Sequence, residues 1–568
     1  MKEIKNTIYA ILLFAMVSCS LKETPEHFVD RSLFYRTEME CRSVLNSAYN
    51  KLNGIFNHRF FYMTELQSDL WFNTASGTEY DATLDITPSS PGHGATIWTN
   101  CYNAIMICNE CIECIADAPI ESAVKDPMVA EARVLRALYY HILTQVFNGV
   151  PFYLESVDSK QKLEEIRRLP RTEAGVIRET LYDDLKDNVL PVFTEDSGLR
   201  KSWYAVGNER AGYALALYLM GNFAMWNQEW QDALEPLLLL KEIYGEIEDY
   251  PLKETLWSIA NTPESIFEIQ HNWSVNGVQY YSNLARLMMP PWSDGDTDDG
   301  GNEISLYGGI DMAGFAYKDE IMFRRFADRI STSTSSRCSK RVAMCTFAAD
   351  GTIGNKAAGA LFSPLPVKPV FDENGSSYTV KIDKEAVETG MSQGKKIDKR
   401  VFYTIGLGNY TTGEAFNVVS KHDYPYAGPK FWCPDMVQSY DSNNYKIYRY
   451  ADAVLMLAEC YAGLGNVVEG DKYLNSVRAR AGVDALTHST PEELMSDIRD
   501  ERARELAGEF HRKFDLVRWG IWYDYVQQYS EKGTLTGNCR KCHRYYPIPD
   551  TECALSGYVI TNDEYNAE

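Results

Sequence analysis

Apolar residues recur at intervals of three and four positions between Tyr448 and Gly520, which gives this stretch the clearest helical pattern of the chain. It begins YRYADAVLMLAECYAGLGN, whose apolar positions share one face of a helix. These positions are Ala451, Val454, Leu455, Ala458, Tyr461 and Ala462. Glycines and an asparagine in 463–466 end this helix. A second one, GDKYLNSVRARAG, follows and ends at Gly482, a left-handed cap. The short link predicts an antiparallel helix pair.

A third segment, from Ile498 to Gly520, also has an apolar stripe. The stripe comprises Ile498, Leu506, Phe510, Phe514 and Val517. Oppositely charged residues stand at helical spacing on its other faces, in the pairs Asp500/Arg504, Arg502/Glu505 and Glu509/Lys513. If exposed, each pair stabilises a helix by only about 0.2–0.5 kcal/mol. The pattern therefore predicts a third amphipathic helix and indicates no chemistry.

Helix pairs of the same form recur earlier in the chain. The run 209–240 contains an Ala-rich helix, a break near Asn227 and a second helix with Ala233 at its packing face. Further helices are predicted within 38–52, 96–116, 131–152 and 171–190. Hairpins repeated in this way are typical of tetratricopeptide-like repeats, because each repeat buries its apolar face only against a neighbour.

The scaffold is predicted to be discontinuous in sequence. With 568 residues, the chain is too long for one compact core of ordinary size. Helical patterns occupy 36–245 and return in 441–568, whereas 246–440 is irregular and rich in Gly, Ser, Asp and Pro. This middle region contains short strand candidates, SIFEIQ and SYTVKI. The predicted fold class is mainly α, a tetratricopeptide-like helical-repeat scaffold with an irregular loop-rich ligand-binding region inserted.

The composition of the chain limits the classes of ligand that the protein is expected to bind. The chain is 45% hydrophobic and 24% charged, which is typical of a folded protein. Its formal net charge of -23 disfavours nucleic acid, anionic lipid headgroups and polyanionic ligands, although a local basic cleft could still exist. Tyrosine and tryptophan are abundant, with 37 and 11 copies. Such side chains serve cores and ligand platforms equally well.

The first residues predict export. Lys2 and Lys5 precede an apolar run too short to span a bilayer, which predicts a cleaved signal peptide over 1–18. The sequence MVSC resembles a bacterial lipobox, with Met16 where Leu is usual. Cys19 is then the lipidated first residue of a tether over 19–35, and acyl chains anchor it to a membrane. The alternative is an ordinary secreted protein with Cys19 just past the cleavage point.

Cysteine motifs are interpreted as structural. The string Cys539-Arg540-Lys541-Cys542-His543 matches a c-type haem attachment site, but it is short enough to arise by chance among 13 cysteines. Cys108, Cys111 and Cys114 have the first three spacings of an iron–sulfur motif, whose fourth position is Ala118. Packing on a helix explains them better, and no cofactor is predicted.

An acidic loop imitates a calcium site. Asp294, Asp296 and Asp298 alternate as in a calcium-binding loop, but Asp299 replaces the required glycine and Ser305 the final glutamate. A solvated loop is the simpler interpretation, and an irregular calcium or sugar-hydroxyl site is the alternative. P-loop, nucleophile-elbow and HExxH motifs are absent from the sequence.

Three blocks resemble the C-terminal signature of the SusD/RagB family: YRYADAVLMLAECYAGLGN, YLNSVRARAG and the ER...EL..E..R..DLVRWG run. That family comprises nutrient-capturing surface lipoproteins of Bacteroidetes. The resemblance implies four helix pairs with a less regular region packed against them. It also implies a surface location on the outer membrane and a SusC-like TonB-dependent transporter as partner.

A protein that holds sugars without cutting them needs aromatic faces beside hydrogen-bonding side chains. Two stretches have that composition, 69–80 and 273–298, in the parts of the chain where family members usually build the ligand pocket. The residues predicted to bind an oligosaccharide are Asp69, Trp71, Asn73, Trp273, Tyr280, Tyr281, Trp292 and Asp294. For each of the three tryptophans, a structural role is the alternative.

The predicted function is non-catalytic glycan capture. Two alternatives stay open. One is an all-helical glycoside hydrolase, because a catalytic carboxylate pair leaves no fixed spacing in sequence. The other is the same scaffold with a peptide or another nutrient as cargo, because fold does not fix function.

Overall fold

The computed structural model describes residues 34–73, 80–193, 209–272, 280–285, 441–529 and 537–566, together with short segments between 342 and 431. The fold is mainly helical, as predicted. The helices are α1 Glu38–Ile55, α2 His58–Thr64, α3 Tyr80–Thr83, α4 Gly94–Ala116, α5 Ser122–Phe147, α6 Lys160–Arg167, α7 Ala174–Asn188, α8 Tyr213–Trp226, α9 Trp230–Tyr244, α10 Tyr450–Gly463, α11 Val467–Ala481, α12 Pro491–Glu505, α13 Arg512–Arg518, α14 Trp522–Tyr529, α15 Asp550–Leu555 and α16 Asp563–Asn566.

Within the described residues, short antiparallel strands form three small sheets. The strands are β1 Trp71–Asn73, β2 Ser265–Ile269, β3 Val342–Met344, β4 Val367–Phe371, β5 Tyr378–Ile382, β6 Ile405–Gly406, β7 Asn417–Val418, β8 Tyr426–Ala427 and β9 Tyr445–Arg449. The sheet orders are β1-β3-β8-β6, β4-β5-β7 and β2-β9. Both strand candidates, SIFEIQ and SYTVKI, are confirmed as β2 and β5.

Side-chain caps define several helix ends. Thr37 begins α1 and Thr490 begins α12, each in a capping box with a glutamate three residues later. Asn466 caps α11, which ends at the predicted left-handed Gly482 with φ 79°. Within the described part of the chain, no helix is long and apolar enough to cross a membrane.

The described helices pack against one another around one apolar core. α4 lies against α5 and α1, α8 against α9, and α10 against α11. α9 also packs on α10, so the pair that precedes the irregular region contacts the pair that follows it. Helices from the two sides of the irregular region are therefore neighbours in the fold.

The third C-terminal segment is not one helix, contrary to prediction. It divides into α12 and α13, with 506–511 as the break. Gly508 and Phe510 have φ of +78° and +70°, values that a right-handed helix excludes. Phe510 thereby enters an aromatic cluster with Phe56, Phe60 and Trp257.

The charged side chains around this break lie in the interior. Arg502, Glu505, Glu509 and Lys513 are at most 3% exposed. Arg449, fully buried at the end of β9, donates to Glu509 Oε2 at 2.8 Å, Glu505 Oε1 at 3.1 Å and Glu264 Oε1 at 2.5 Å. Glu505 and Glu509 therefore belong to a buried ionic network with Arg449 and Glu264, instead of the surface pairs that helical spacing implied.

The network also ties the irregular region to the helices. Arg400 Nη1 lies 2.6 Å from Glu501 and 3.1 Å from Glu505, and Lys430 pairs with Glu509. Burial alone would raise the pKa of Glu505, but Arg480, Arg449 and Arg400 hold it well below its usual range. The carboxylates therefore stay ionised, and the ion pairs join segments distant in sequence.

A histidine joins the α11–α12 connection to both helices and makes stability depend on pH. His488 Nδ1 is 2.5 Å from Asp471 and its Nε2 is 2.7 Å from Asp497. Partial burial lowers the pKa of His488, but the hydrogen bonds to Asp471 and Asp497 outweigh it and raise that pKa above its ordinary value. The protonated ring stabilises the fold below the unfolded pKa of about 6.5, and this contribution is lost as pH rises through the folded pKa.

We therefore expect His488→Gln to lower stability most at acidic pH, with a smaller difference from the wild type at alkaline pH. Denaturation midpoints of both proteins across that range measure the effect, and other titrating groups cancel in the difference. A difference independent of pH would contradict the assignment.

Candidate functional site

Two predicted ligand residues, Tyr280 and Tyr281, lie at the surface, with 41% and 36% of their area exposed. The backbone on either side of them is fixed. Tyr280 pairs with Asn272, and Ser282 pairs with Asp441 through hydrogen bonds of 2.8 and 2.9 Å. Ser282 Oγ also donates to Tyr445 Oη at 2.9 Å. The tyrosines are thus exposed rings on an anchored segment.

Tyr280 borders a cleft of about 220 Å³ between α1, the residues before α8, and β2, which we call the tyrosine cleft. Its other polar lining residues include Asn46, Asn50, Asn53, Glu209, Arg210 and Gln270. Amide and guanidinium groups supply hydrogen bonds in several directions. Together with an exposed ring, they are suited to a ligand with an apolar face and hydroxyls at its edge.

Buried contacts hold one wall of the cleft in place. The Arg210 guanidinium lies 4.4 Å from the centre of the Tyr49 ring, and its Nε is 2.6 Å from Glu131. Its Nη1 donates to Asn46 Oδ1 at 2.6 Å. Burial, followed by the charge of Glu131, raises the pKa of Tyr49 well above its usual value, so the phenol stays protonated. This wall is organised before any ligand arrives.

The cleft residues on α1 have a sequence signal that the composition argument missed. Asn46, Asn50 and Asn53 recur at four- and three-residue spacing, which places them on one helix face. Arg210 and Gln270 have no such signal, because they meet α1 only through tertiary packing.

Trp71 and Asp69 do not form a ligand platform, so their prediction as ligand contacts is corrected. Both are fully buried. The Trp71 ring packs edge-on against Phe61 and Phe431, with centroids 5.7 and 6.0 Å away. Both Asp69 oxygens accept from Arg512, at 2.8 and 2.7 Å. These two residues stabilise the interior.

The remaining predicted residues stay predictions. Asn73 ends β1, in register with Val342. Trp273, Trp292, Asp294 and Cys19 lie outside the described residues, so the acidic loop and the lipidation site are untested.

Residues of both cysteine motifs are buried in the protein interior. Cys108 and Cys111 are fully buried on α4, and burial raises the pKa of Cys108 to about 12. Cys542 and His543 lie in a buried turn, where burial lowers the pKa of His543 to about 3. Among the residues that the structure describes, no three His, Cys, Asp or Glu side chains are grouped to hold a metal ion.

Helical hairpins packed side by side define a helical-repeat protein. Two family models match separate parts of the chain: "SusD family" over 435–565 and "Starch-binding associating with outer membrane" over 27–189. The chain belongs to the SusD/RagB family.

Named relatives agree with this assignment. The chain is 24% identical to SusD-like protein P25 of Formosa agariphila, over 99% of each chain. It is 25% identical to the starch-binding protein SusD of Bacteroides thetaiotaomicron, over 32% of this chain and 31% of that one. Surface glycan-binding protein A of the same organism, solved with laminarihexaose, superposes with a TM-score of 0.62 at 16% identity, covering 92% of this chain and 98% of that one.

Proposed function

We propose that the protein is a non-catalytic glycan-binding lipoprotein at the surface of the outer membrane, which passes an oligosaccharide to a SusC-like TonB-dependent transporter. The observation that supports glycan capture most directly is the exposed pair Tyr280 and Tyr281 beside the tyrosine cleft. Relatives whose names include starch and laminarihexaose support the same ligand class.

The geometry gives a physical mode of capture. The C–H face of a sugar ring stacks on Tyr280, while Asn50, Gln270 and Arg210 form hydrogen bonds with the hydroxyls. The cleft is smaller than typical small-molecule pockets of roughly 300–1,000 Å³, so it holds one part of an oligosaccharide and Tyr281 extends the contact. We propose Asn73, Trp273, Trp292 and Asp294 as further contacts.

The buried carboxylate of the cleft, Glu268, is unsuited to act as the acid of a glycoside hydrolase. A glycoside hydrolase needs a carboxylic acid whose pKa is raised, paired with a second carboxylate. Glu268 lines the cleft but is buried and lies 2.7 Å from Lys446. Burial alone would raise the pKa of Glu268, but Lys446 and hydrogen bonds lower it. Glu268 is therefore an ionised structural residue and a poor proton donor.

We expect Tyr280→Ala combined with Tyr281→Ala to weaken capture about tenfold or more, because truncation of an aromatic hot-spot residue costs about 2 kcal/mol or more of binding and about 1.4 kcal/mol corresponds to tenfold. Stability should change by less than about 0.5 kcal/mol, since both rings are largely exposed. A glycan array identifies the ligand, and calorimetry with that glycan measures both proteins.

Tyr558→Ala provides a matched control, because Tyr558 is a tyrosine 71% exposed that does not line the cleft. Equal affinity of the wild type and the double variant would refute the cleft as the ligand site.

We propose that the lipid anchor places the protein next to its transporter. A lipid at Cys19 holds the protein beside the transporter, and a ligand that binds a closed arrangement better than an open one favours closure. Fractionation of cells expressing Cys19→Ala tests the anchor: release of the protein from the membrane and loss of co-purifying transporter support it, and unchanged membrane retention contradicts it.

A further inference from the structure

A second cavity, of about 380 Å³, lies among the helical hairpins and shares no residue with the tyrosine cleft. We call it the tryptophan pocket. Its lining includes Met225, Trp230, Glu492, Met495, Arg499 and Trp519, from α8, α9, α12 and the end of α13. Its volume falls within the roughly 300–1,000 Å³ typical of small-molecule sites.

Both indole rings are held by the scaffold. The Trp230 ring lies directly over Gly463, where a Cβ would come within 2.6 Å of it. Any larger residue at Gly463 would therefore displace the ring. Trp519 donates its indole N–H to Glu459 Oε1 at 2.9 Å. The pocket thus has two flat apolar surfaces with fixed positions.

Of the two arginines that line the pocket, Arg518 and Arg499, only Arg518 is paired with a carboxylate among the described residues. Arg518 is neutralised by Glu459, with its Nη2 2.9 Å from Oε2. Both guanidinium groups lie over the Trp519 ring, Arg518 at 5.4 Å and Arg499 at 5.5 Å from its centre. The buried Nε of Arg499 has no hydrogen-bond partner among the described residues. No described carboxylate forms an ion pair with Arg499. The pocket therefore contains a guanidinium that has no carboxylate partner among the described residues, next to aromatic surface.

A carboxylate matches these features. The guanidinium binds carboxylate oxygens through two parallel N–H bonds, and such charge-assisted bonds are stronger than neutral ones. Glu492 opposes an anion, but it is exposed to water, which screens its charge. The helical walls offer no strand edge to pair with an extended peptide backbone. Indole faces instead match the flat C–H face of a sugar ring.

We propose that the tryptophan pocket is a second glycan site, selective for an acidic sugar whose carboxylate binds Arg499 and whose ring packs against Trp230 and Trp519. This inference rests on the proposed function and adds a ligand class to it. The net charge of the protein, -23, disfavours anionic ligands in general. The tryptophan pocket would offer an acidic sugar a local cation despite that charge.

The test uses the mature chain, without residues 1–18, and two matched probes: methyl β-glucuronide and methyl β-glucoside, which differ in the carboxylate. Calorimetry or ligand-observed NMR should detect the glucuronide, and the glucoside should bind about tenfold or more weakly, because it lacks the charge-assisted bond. Added salt should weaken glucuronide binding.

Arg499→Gln should reduce glucuronide affinity about tenfold or more, while Glu492→Gln should increase it by removing an opposing charge. Trp230→Phe should weaken both probes, through loss of ring contact. Lys472→Gln, which removes an exposed cation outside the pocket, is the control and should leave affinity unchanged. Unchanged denaturation midpoints establish that the variants fold.

Equal binding of the two probes, no glucuronide binding, or unchanged affinity in Arg499→Gln would overturn the proposal. Preferential binding of an acetylated dipeptide with a free carboxylate would overturn it as well, in favour of a peptide site.

The variant Tyr280→Ala with Tyr281→Ala distinguishes the tyrosine cleft from the tryptophan pocket. It should lose neutral glycan while it retains the glucuronide. Neutral glycan capture without glucuronide binding would leave the proposed function standing and remove this inference alone.

Discussion

Arg449→Met is expected to lower the free energy of unfolding by about 3–5 kcal/mol, because removing one partner of a buried ion pair leaves uncompensated charge in the interior. Here Glu264, Glu505 and Glu509 all lose a guanidinium donor within 3.1 Å. Methionine retains most of the side-chain volume, so lost charge pairing dominates the effect. Denaturant unfolding of the mature protein measures it.

Lys472→Met is the control, because the Lys472 side chain is largely exposed and its ion pair with Glu469, at 3.7 Å, lies at the surface. It should change stability by less than about 0.5 kcal/mol. Comparable stability of the two variants would mean that the buried network does not hold the irregular region to the helices.

Trp71→Ala is expected to destabilise the protein by about 3–5 kcal/mol, the usual cost of removing a large buried aromatic side chain. The fully buried ring fills space between Phe61 and Phe431, so its loss leaves a cavity where β1 meets the helices. Thermal and denaturant midpoints should both fall.

Tyr280→Ala gives the contrast, because that tyrosine is 41% exposed and should change stability little. If Trp71→Ala instead kept its midpoint and lost glycan binding, Trp71 would be a ligand residue and the burial described above would be wrong.

Much of the helical scaffold could be predicted from local pattern. The α10–α11 pair, its glycine-rich link and the Gly482 cap follow from apolar spacing and from residues at the helix ends. These features depend on neighbours within a few positions. A single sequence records such neighbours directly.

The buried network was not predictable in that way. Apolar periodicity treats Glu505 and Arg502 as solvent-facing, whereas tertiary packing buries both. Arg449 and Glu264 are 185 residues apart, so their pairing has no local signature. The α12–α13 break follows from the same packing, because the chain turns there to bring Glu505 and Glu509 to Arg449.

The candidate site was predicted in part. Aromatic composition selected Tyr280 and Tyr281, which are exposed, and also Trp71 and Asp69, which are interior. Binding of glycan by the two tyrosines stays a prediction. Composition does not distinguish an exposed ring from a buried one. The partner of Asp69, Arg512, lies 443 residues away.

We propose above that this protein holds glycan without cutting it. The most direct test incubates the mature chain with the glycan that the array identifies, then recovers the bound fraction and measures chain length and new reducing ends. We predict saturable binding that depends on Tyr280 and Tyr281, with the glycan recovered at its original length. Shortened chains, or no binding to any member of a broad glycan panel, would contradict the account.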